Sequence, residues 1–313
     1  MSQQVTTAFV KQFNSNVFHL SQQKGSRLRS LVRTVSQTGK SQFFDRIGSV
    51  VATKKTSRHS DTPLIDTPHS RRRVTLGDYE HADLIDDADK IRLLIDPASE
   101  YSMAFSYAFG RAMDDEIIAA ALGNSYGGEE GADIIALPTS QKVAAHDGST
   151  TTGVNLNVKT LRKVKQIFDA NDVDESIPRC FAIGSSQLQS LLSETEVTSS
   201  DFAAVKALVM GDVDTFLGFK FTRLELLVKS ASNITYNVVS GIVGSGTGTI
   251  TAANSRRCFA WAKDGLVLSI GQDQKSRISE RDDKSYSTQV FMSMGVGSTR
   301  IEEEKVVEVI CSE

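Results

Sequence analysis

Cysteine is scarce in this sequence, and its placement excludes two kinds of scaffold. Only Cys180, Cys258 and Cys311 occur, far apart and without a Cys-x-x-Cys pair. Such a set fits buried thiols in a reducing compartment better than a disulfide framework or a zinc site. Histidine is sparse too. His19, His59, His69, His81 and His146 show no His-Glu-x-x-His and no other metal-ligand spacing, so neither metal nor cofactor is expected. No apolar run approaches the ~18 residues of a membrane-spanning helix, which removes the membrane as a partner. The start, Met1-Ser2-Gln3-Gln4-Val5, lacks the basic and apolar regions of a signal peptide, and a soluble intracellular product is expected. Aromatic residues make up only 7%, and no stacking platform of a nucleic-acid-binding module is visible.

Catalytic patterns are missing as well. Thr38-Gly39-Lys40-Ser41 resembles the end of a phosphate-binding loop, but the position five before Gly39 is Thr34 rather than glycine, and no strand is expected before it. Gly184-Ser185-Ser186-Gln187 lacks the second glycine of a nucleophile elbow. Asp86-Asp87-Ala88-Asp89 and Asp114-Asp115-Glu116 lack the glycine and terminal glutamate of a calcium loop. On a helix the second triplet points in directions about 100° apart, so it cannot converge on one ion. No catalytic residue is assigned, and the chain is not expected to be an enzyme.

What the sequence does have is a charge split. Residues 1–73 carry 13 Lys and Arg against three Asp and Glu, whereas residues 74–313 carry 22 against 35. A basic arm of this kind is a solvated tail, a nucleic-acid contact, or a segment that lies on the acidic body of another copy. At 313 residues and 40% apolar, the chain can bury a substantial core.

The pattern of elements is mixed. Residues 1–41 read as an extended arm, with a short helix around Arg27–Val35. Two β-branched runs, Ile47–Thr53 and Val74–Tyr79, read as strands. The polar link between them is long for a compact domain and suits a projecting hairpin whose partner is another molecule. Asp96 as N-cap, Pro97 at the first position and Glu100 in the first turn open a helix over 97–122 that Gly123 ends, with Phe105, Phe109, Met113 and Ile117 among its apolar residues at helical spacing. At about 1.5 Å per residue this rod is near 40 Å long, a spine rather than a bundle member. Helices at Leu161–Asn171, Ser186–Leu192 and Asp201–Met210 alternate with strands at Cys180–Ile183 and Phe219–Phe221. The run Val243–Thr251 reads as a glycine-rich hairpin tip. The tail from Arg256 to Glu313 is strand-like, with a turn at Asp264-Gly265. An α/β lobe over 156–255 is thus inserted between the helix and a returning sheet.

Several strings resemble a family of tailed-phage major capsid proteins, in its short-tailed-phage-like branch. They are IDPASEYSMAFSYAFGRAMDDEIIAAALGNSYGG from Ile95, LPTSQKVA from Leu137, LRKVKQIFDANDVDES from Leu161 and SSQLQSLLSETEVTSSDFAAVKALVMGDVDTFLGFKF from Ser185. QQKGSRLRSLV from Gln22, GKSQFFDRIG from Gly39 and DTPLIDTPHSRRRVTLGDYEHADLID from Asp61 extend the likeness over nearly the whole chain. The resemblance implies an α+β chain of the Hong Kong 97-type capsid fold. Its parts would be an N-terminal arm (1–41), an E-loop hairpin (42–90), a P-domain (91–155 and 256–313) and an A-domain (156–255).

The implied role is self-assembly into hexamers and pentamers of an icosahedral shell around double-stranded DNA, bound without sequence specificity. A separate scaffolding protein and a portal are the implied partners, with assembly in the host bacterial cytoplasm and final residence in the virion. On the charge split, Lys54, Lys55 and Arg58 at the hairpin tip and Arg71, Arg72 and Arg73 at its base are expected to dock on a neighbour. Asp114, Asp115 and Glu116 are the expected acidic face, and Lys24, Arg27, Arg29 and Arg33 supply the basic arm. One member of the fold class cross-links an E-loop lysine to a P-domain asparagine. Residues 256–313 contain no asparagine, so no such cross-link is expected. Two rivals stay open: an encapsulin-like shell around an enzyme, and a basic-armed nucleic-acid-binding protein.

Overall fold

The computed structural model describes residues 21–58, 64–86, 98–149, 151–194, 215–244 and 246–313. A 3-10 turn at Arg29–Leu31 leads into β1 (Arg33–Ser36), β2 (Ser41–Ile47), β3 (His69–Thr75) and β4 (Gly77–Ile85). The long helix α1 (Ala98–Leu122) precedes the short strands β5 (Ser125–Gly127), β6 (Asp133–Ile135) and β7 (Lys142–Ala144). Helix α2 (Val158–Ala170), β8 (Arg179–Ile183) and α3 (Ser185–Ser193) come next. Then come β9 (Thr215–Phe216), β10 (Phe219–Arg223), β11 (Ile234–Tyr236) and β12 (Gly248–Ile250). The tail holds β13 (Ser255–Ala262), β14 (Leu266–Arg281), β15 (Ser287–Arg300) and β16 (Val306–Ser312).

The spine helix is where its periodicity puts it. Phe105, Phe109, Met113, Ile117 and Ala121, four apart, are all buried. Asp96 and Pro97 lie outside the described residues, as do Asp87, Asp89 and the helix expected at 201–210. Helix α2 begins three residues earlier than its apolar stripe suggests, because the Asn157 side chain caps it by accepting from Thr160 N–H.

Three local expectations need correction. The helix expected at Arg27–Val35 is only the 3-10 turn, because residues 33–36 pair in parallel with Val267–Ile270 and tertiary pairing overrides propensity. That pairing also puts a strand just before Thr38-Gly39-Lys40-Ser41. The next element is β2 rather than a helix, so no helix N-terminus is available to hold a phosphate. Third, the run Ile47–Thr53 is not a strand. Pairing runs from Ser41↔Thr75 to Ile47↔His69, and Gly48 N–H to Pro68 C=O at 2.9 Å closes the ladder. Beyond it, residues 49–56 make no strand and are exposed throughout.

Among the described residues four sheets form, ordered β1-β14-β15-β4, β7-β16-β13-β8-β10-β9, β11-β12 and β2-β3-β5-β6. The six-stranded sheet carries the core. Phe181 meets Phe219 edge-on at 5.9 Å, Phe168 of α2 lies 5.9 Å from Phe219, and Phe259 lies 4.8 Å from Trp261. The buried Trp261 satisfies its indole N–H on the Leu31 carbonyl at 3.1 Å. The tail strands therefore do not make a sheet apart: β13 pairs with β8 on one side and β16 on the other.

By packing, the chain divides into two units. Among the described residues, one comprises 21–26, 78–86, 98–112 and 272–295; the other comprises those within 27–77, 113–271 and 296–313. In the first, His81 meets Phe105 edge-on at 4.2 Å, and Ser106 donates to the Gln274 side chain at 2.7 Å. In the second lie the six-stranded sheet, the β2–β3 hairpin and the last turns of α1.

Candidate assembly interface

The β2–β3 hairpin is two-faced because side chains alternate along a strand. One face presents Phe43, Asp45 and Ile47 opposite Arg73, Arg71 and His69. Here Arg71 pairs with Asp45 at 3.1 Å and lies 5.6 Å from the Phe43 ring centroid, with both ion-pair partners well exposed. Arg73 lies 5.7 Å from the Tyr126 ring and donates to the Glu130 carbonyl at 3.2 Å. Exposed Tyr126 and Ile134 continue this face onto β5 and β6.

The opposite face is turned inward. Arg72 is buried, and its Nη2 alone donates to both carboxylate oxygens of Glu303 at 2.9 Å each, so that one nitrogen forks across the carboxylate. Arg46 reaches the same carboxylate at 3.4 Å and also donates to the Ile301 carbonyl. Arg300, wholly buried, donates to the carbonyls of Ala121 at 3.0 Å and Gly123 at 2.9 Å. These are open acceptors at the C-terminal end of α1, where a cation is favoured. Burial pushes the Arg300 guanidinium below its ordinary pKa, and the Glu303 carboxylate opposes that shift. One carboxylate thus ties the hairpin base to the strand end that caps the spine helix.

These positions correct two sequence expectations. Arg72 is not a docking residue: it is consumed inside its own subunit, whereas Arg71 and Arg73 point outward. Asp114 is not part of an acidic docking face either. It is fully buried, and its two oxygens accept from Arg27 N–H at 3.0 Å and Leu28 N–H at 3.1 Å. Asp115 is exposed and Glu116 half-buried. Among the arm residues, Lys24 and Arg33 are exposed, Arg29 is half-buried, and Arg27 donates to the Arg223 carbonyl at 2.6 Å. Lys54, Lys55 and Arg58 are exposed on the hairpin connection.

Sequence reasoning missed Arg46, Arg300 and Glu303. Alternation gives a partial signal, since the middle of three consecutive strand residues must face away from its neighbours. Nothing local announces that Glu303 is the partner, 231 residues from Arg72.

Among the described residues, no cluster of His, Cys, Asp or Glu could hold a metal ion. Among them, too, no helix is long and apolar enough to cross a membrane.

The whole chain is similar to solved phage capsids. With the capsid of the cyanophage P-SCSP1u it shares 18% identity at a TM-score of 0.69, covering 97% of this chain and 93% of that one. With the capsid of Ralstonia phage GP4 the figures are 10% and 0.69, covering 97% and 95%. With the acid-stable capsid of Helicobacter pylori bacteriophage KHP30 they are 12% and 0.66, covering 99% and 98%. No curated protein sequence matches. At these identities the likeness establishes the fold, an α+β chain of the Hong Kong 97 type. The family model described as phage capsid protein matches residues 5–313. The chain therefore belongs to the phage capsid protein family, as a non-enzymatic structural subunit of the virion capsid.

Proposed function

We propose that this subunit forms hexamers and pentamers of an icosahedral shell around double-stranded DNA, with neighbouring copies clasped by the β2–β3 hairpin. The observation that carries this reading is the hairpin itself. Its base is fixed by the Arg72–Glu303 fork, while residues 49–58 beyond its last rung are exposed and bear Lys54, Lys55 and Arg58. A rigid base with an unburied basic limb does nothing for a monomer and is useful to an assembly. Single exposed ion pairs contribute only about 0–1 kcal/mol. Repeated over many copies they act through avidity.

In this reading 1–41 is the N-terminal arm, 42–90 the E-loop, 91–155 with 256–313 the P-domain, and 156–255 the A-domain. A separate scaffolding protein and a portal complete the assembly, DNA is held without sequence specificity, and the chain falls in the short-tailed branch. Negative-stain electron microscopy of the protein, expressed alone and with candidate scaffolding partners, tests this. Angular shells, tubes or ring-shaped capsomers are expected. Only small globular particles under every condition would overturn it, and a shell filled with an enzyme rather than DNA would turn it toward a nanocompartment.

A further inference from the structure

With Asp114 buried, the basic limb of the hairpin needs another acidic receiver, and β4 has the properties of one. It pairs with β15 at the end of its sheet, and among the described residues no strand pairs with its outer edge. Residues 77–86 hold Asp78, Glu80, Asp83 and Asp86 with no Lys or Arg. All four carboxylate residues are exposed. His81 is turned to Phe105 of α1, so by alternation Asp78, Glu80, Ala82 and Leu84 share the opposite face. Leu84 is 45% exposed there.

An unpaired strand edge is a template for another strand, and charge is the usual means of controlling which one. This edge repels a second copy of itself through its carboxylates and accepts a cationic strand. The limb Gly48–Arg58 is the complement. It carries Lys54, Lys55 and Arg58 without a single acidic residue. It is exposed along its whole length, including Val50 at 52% and Val51 at 79%, and among the described residues no strand pairs with 49–56. At about 3.3 Å per residue in extended form, limb and edge are of matching length. Because Lys54 and Lys55 are adjacent, one of them faces the Asp78–Glu80 side in either register.

We propose that the outer edge of β4 receives the limb Gly48–Arg58 of a second copy by strand addition. Backbone hydrogen bonds supply the pairing, Lys54 or Lys55 meets Asp78 and Glu80, and Val50 or Val51 covers Leu84. This rests on the clasp reading above and gives that clasp its receiving surface.

The test is charge exchange in assembled particles, with cysteine trapping alongside. K54E/K55E and D78K/E80K are each expected to reduce sedimenting particles about tenfold or more, and the quadruple variant to restore them to within about twofold. Circular dichroism of the unassembled chains controls for folding. Separately, Val51→Cys is combined in turn with Glu80→Cys, Ala82→Cys or Leu84→Cys and oxidised in particles. At one register a ladder of linked multimers is expected on a non-reducing gel; the native cysteines are buried and serve as background. If K54E/K55E blocks assembly but D78K/E80K does not, and no ladder forms, β4 is not the receiver and the clasp reading survives. If neither charge variant changes assembly, both readings fall.

Discussion

Gly25 crosses α1 directly over Gly110: a Cβ placed at residue 110 would lie 2.5 Å from both Cα and C of Gly25. A glycine in mid-helix costs roughly 1 kcal/mol against alanine. Here that cost admits the segment entering at Gln22 and Gln23, whose side-chain and backbone oxygens accept from Arg111 at 3.0 and 3.2 Å. Gly25 itself has φ +74, a left-handed conformation that glycine adopts without steric cost. Gly110→Val should therefore destabilise the subunit by about 1–3 kcal/mol through overpacking, although any other residue except proline is a better helix former than glycine. Urea denaturation of the unassembled subunit would read this directly, and an unchanged midpoint would show that the segment is not seated there.

Glu303 should be far more sensitive to loss than its place near the C-terminus suggests. Glu303→Ala leaves buried Arg72 without its carboxylate, a situation that typically costs about 3–5 kcal/mol. Replacing both partners, as R72M/E303L, removes the charge and the need together. The double variant is expected to be more stable than Glu303→Ala alone. Equal losses in the two would mean that the fork contributes nothing specific.

Arg71, Arg72 and Arg73 should separate into two phenotypes. R71E/R73E reverses two outward charges and is expected to leave a folded monomer that no longer assembles. Arg72→Glu instead puts two carboxylates against each other in a buried site and should prevent folding. Circular dichroism and sedimentation distinguish the two outcomes. A folded, assembling Arg72→Glu chain would contradict the buried fork.

That separation also marks how far the sequence can be read. Position within an element was legible only in part: the four-residue spacing of Phe105, Phe109, Met113 and Ile117 gave α1, but Arg71–Arg73 fell before the expected strand Val74–Tyr79, so the inward turn of Arg72 was missed. Partners were not. The run Ile47–Thr53 has the β-branched composition of a strand, but beyond Gly48 it has no mate among the described residues, so composition alone misplaced β2 by several residues. Asp114 looked like one of an acidic triplet, yet its role is set by Arg27 and Leu28, whose approach to α1 depends on long-range packing. Contacts of that kind are chosen by topology, and no local pattern encodes them.

Alkaline pH should weaken the folded subunit through its buried thiols. Burial pushes the Cys180 thiol up to about 11, only partly opposed by Lys220 and Lys263. Cys311 is raised well above 9.0, first by its hydrogen bond with Cys258 and then by burial. These thiols keep their protons in the folded chain and release them more easily when it unfolds. Stability is therefore fully present below the unfolded thiol pKa and falls as pH rises from about 9 toward 11. Cys180→Ala should flatten part of that decline in a series of denaturation midpoints. A midpoint independent of pH over this window would show that the thiols are not held as described.

Particles of this protein should dissolve in denaturant to single chains. A covalent shell of the lysine–asparagine type needs an asparagine amide on the P-domain strands for the E-loop amine to attack, with loss of ammonia. Lys54 and Lys55 are exposed on the hairpin limb and could supply the amine. On the returning strands β13 to β16 the amide is what is missing. The last asparagine is Asn254, in the short turn before β13, and β13 through β16 contain none. Glutamines at 272, 274 and 289 carry the same functional group on a longer side chain, but Gln274 is held by Ser106 and Gln289 by Arg281. Shell strength must then come from many weak contacts, so it should fall with added salt, because exposed ion pairs are screened over about 8–10 Å at 0.1–0.15 M salt. A denaturing gel of mature particles should show one band near 34.0 kDa. A ladder there would mean that another amide or another nucleophile has been recruited, and the salt dependence would vanish with it.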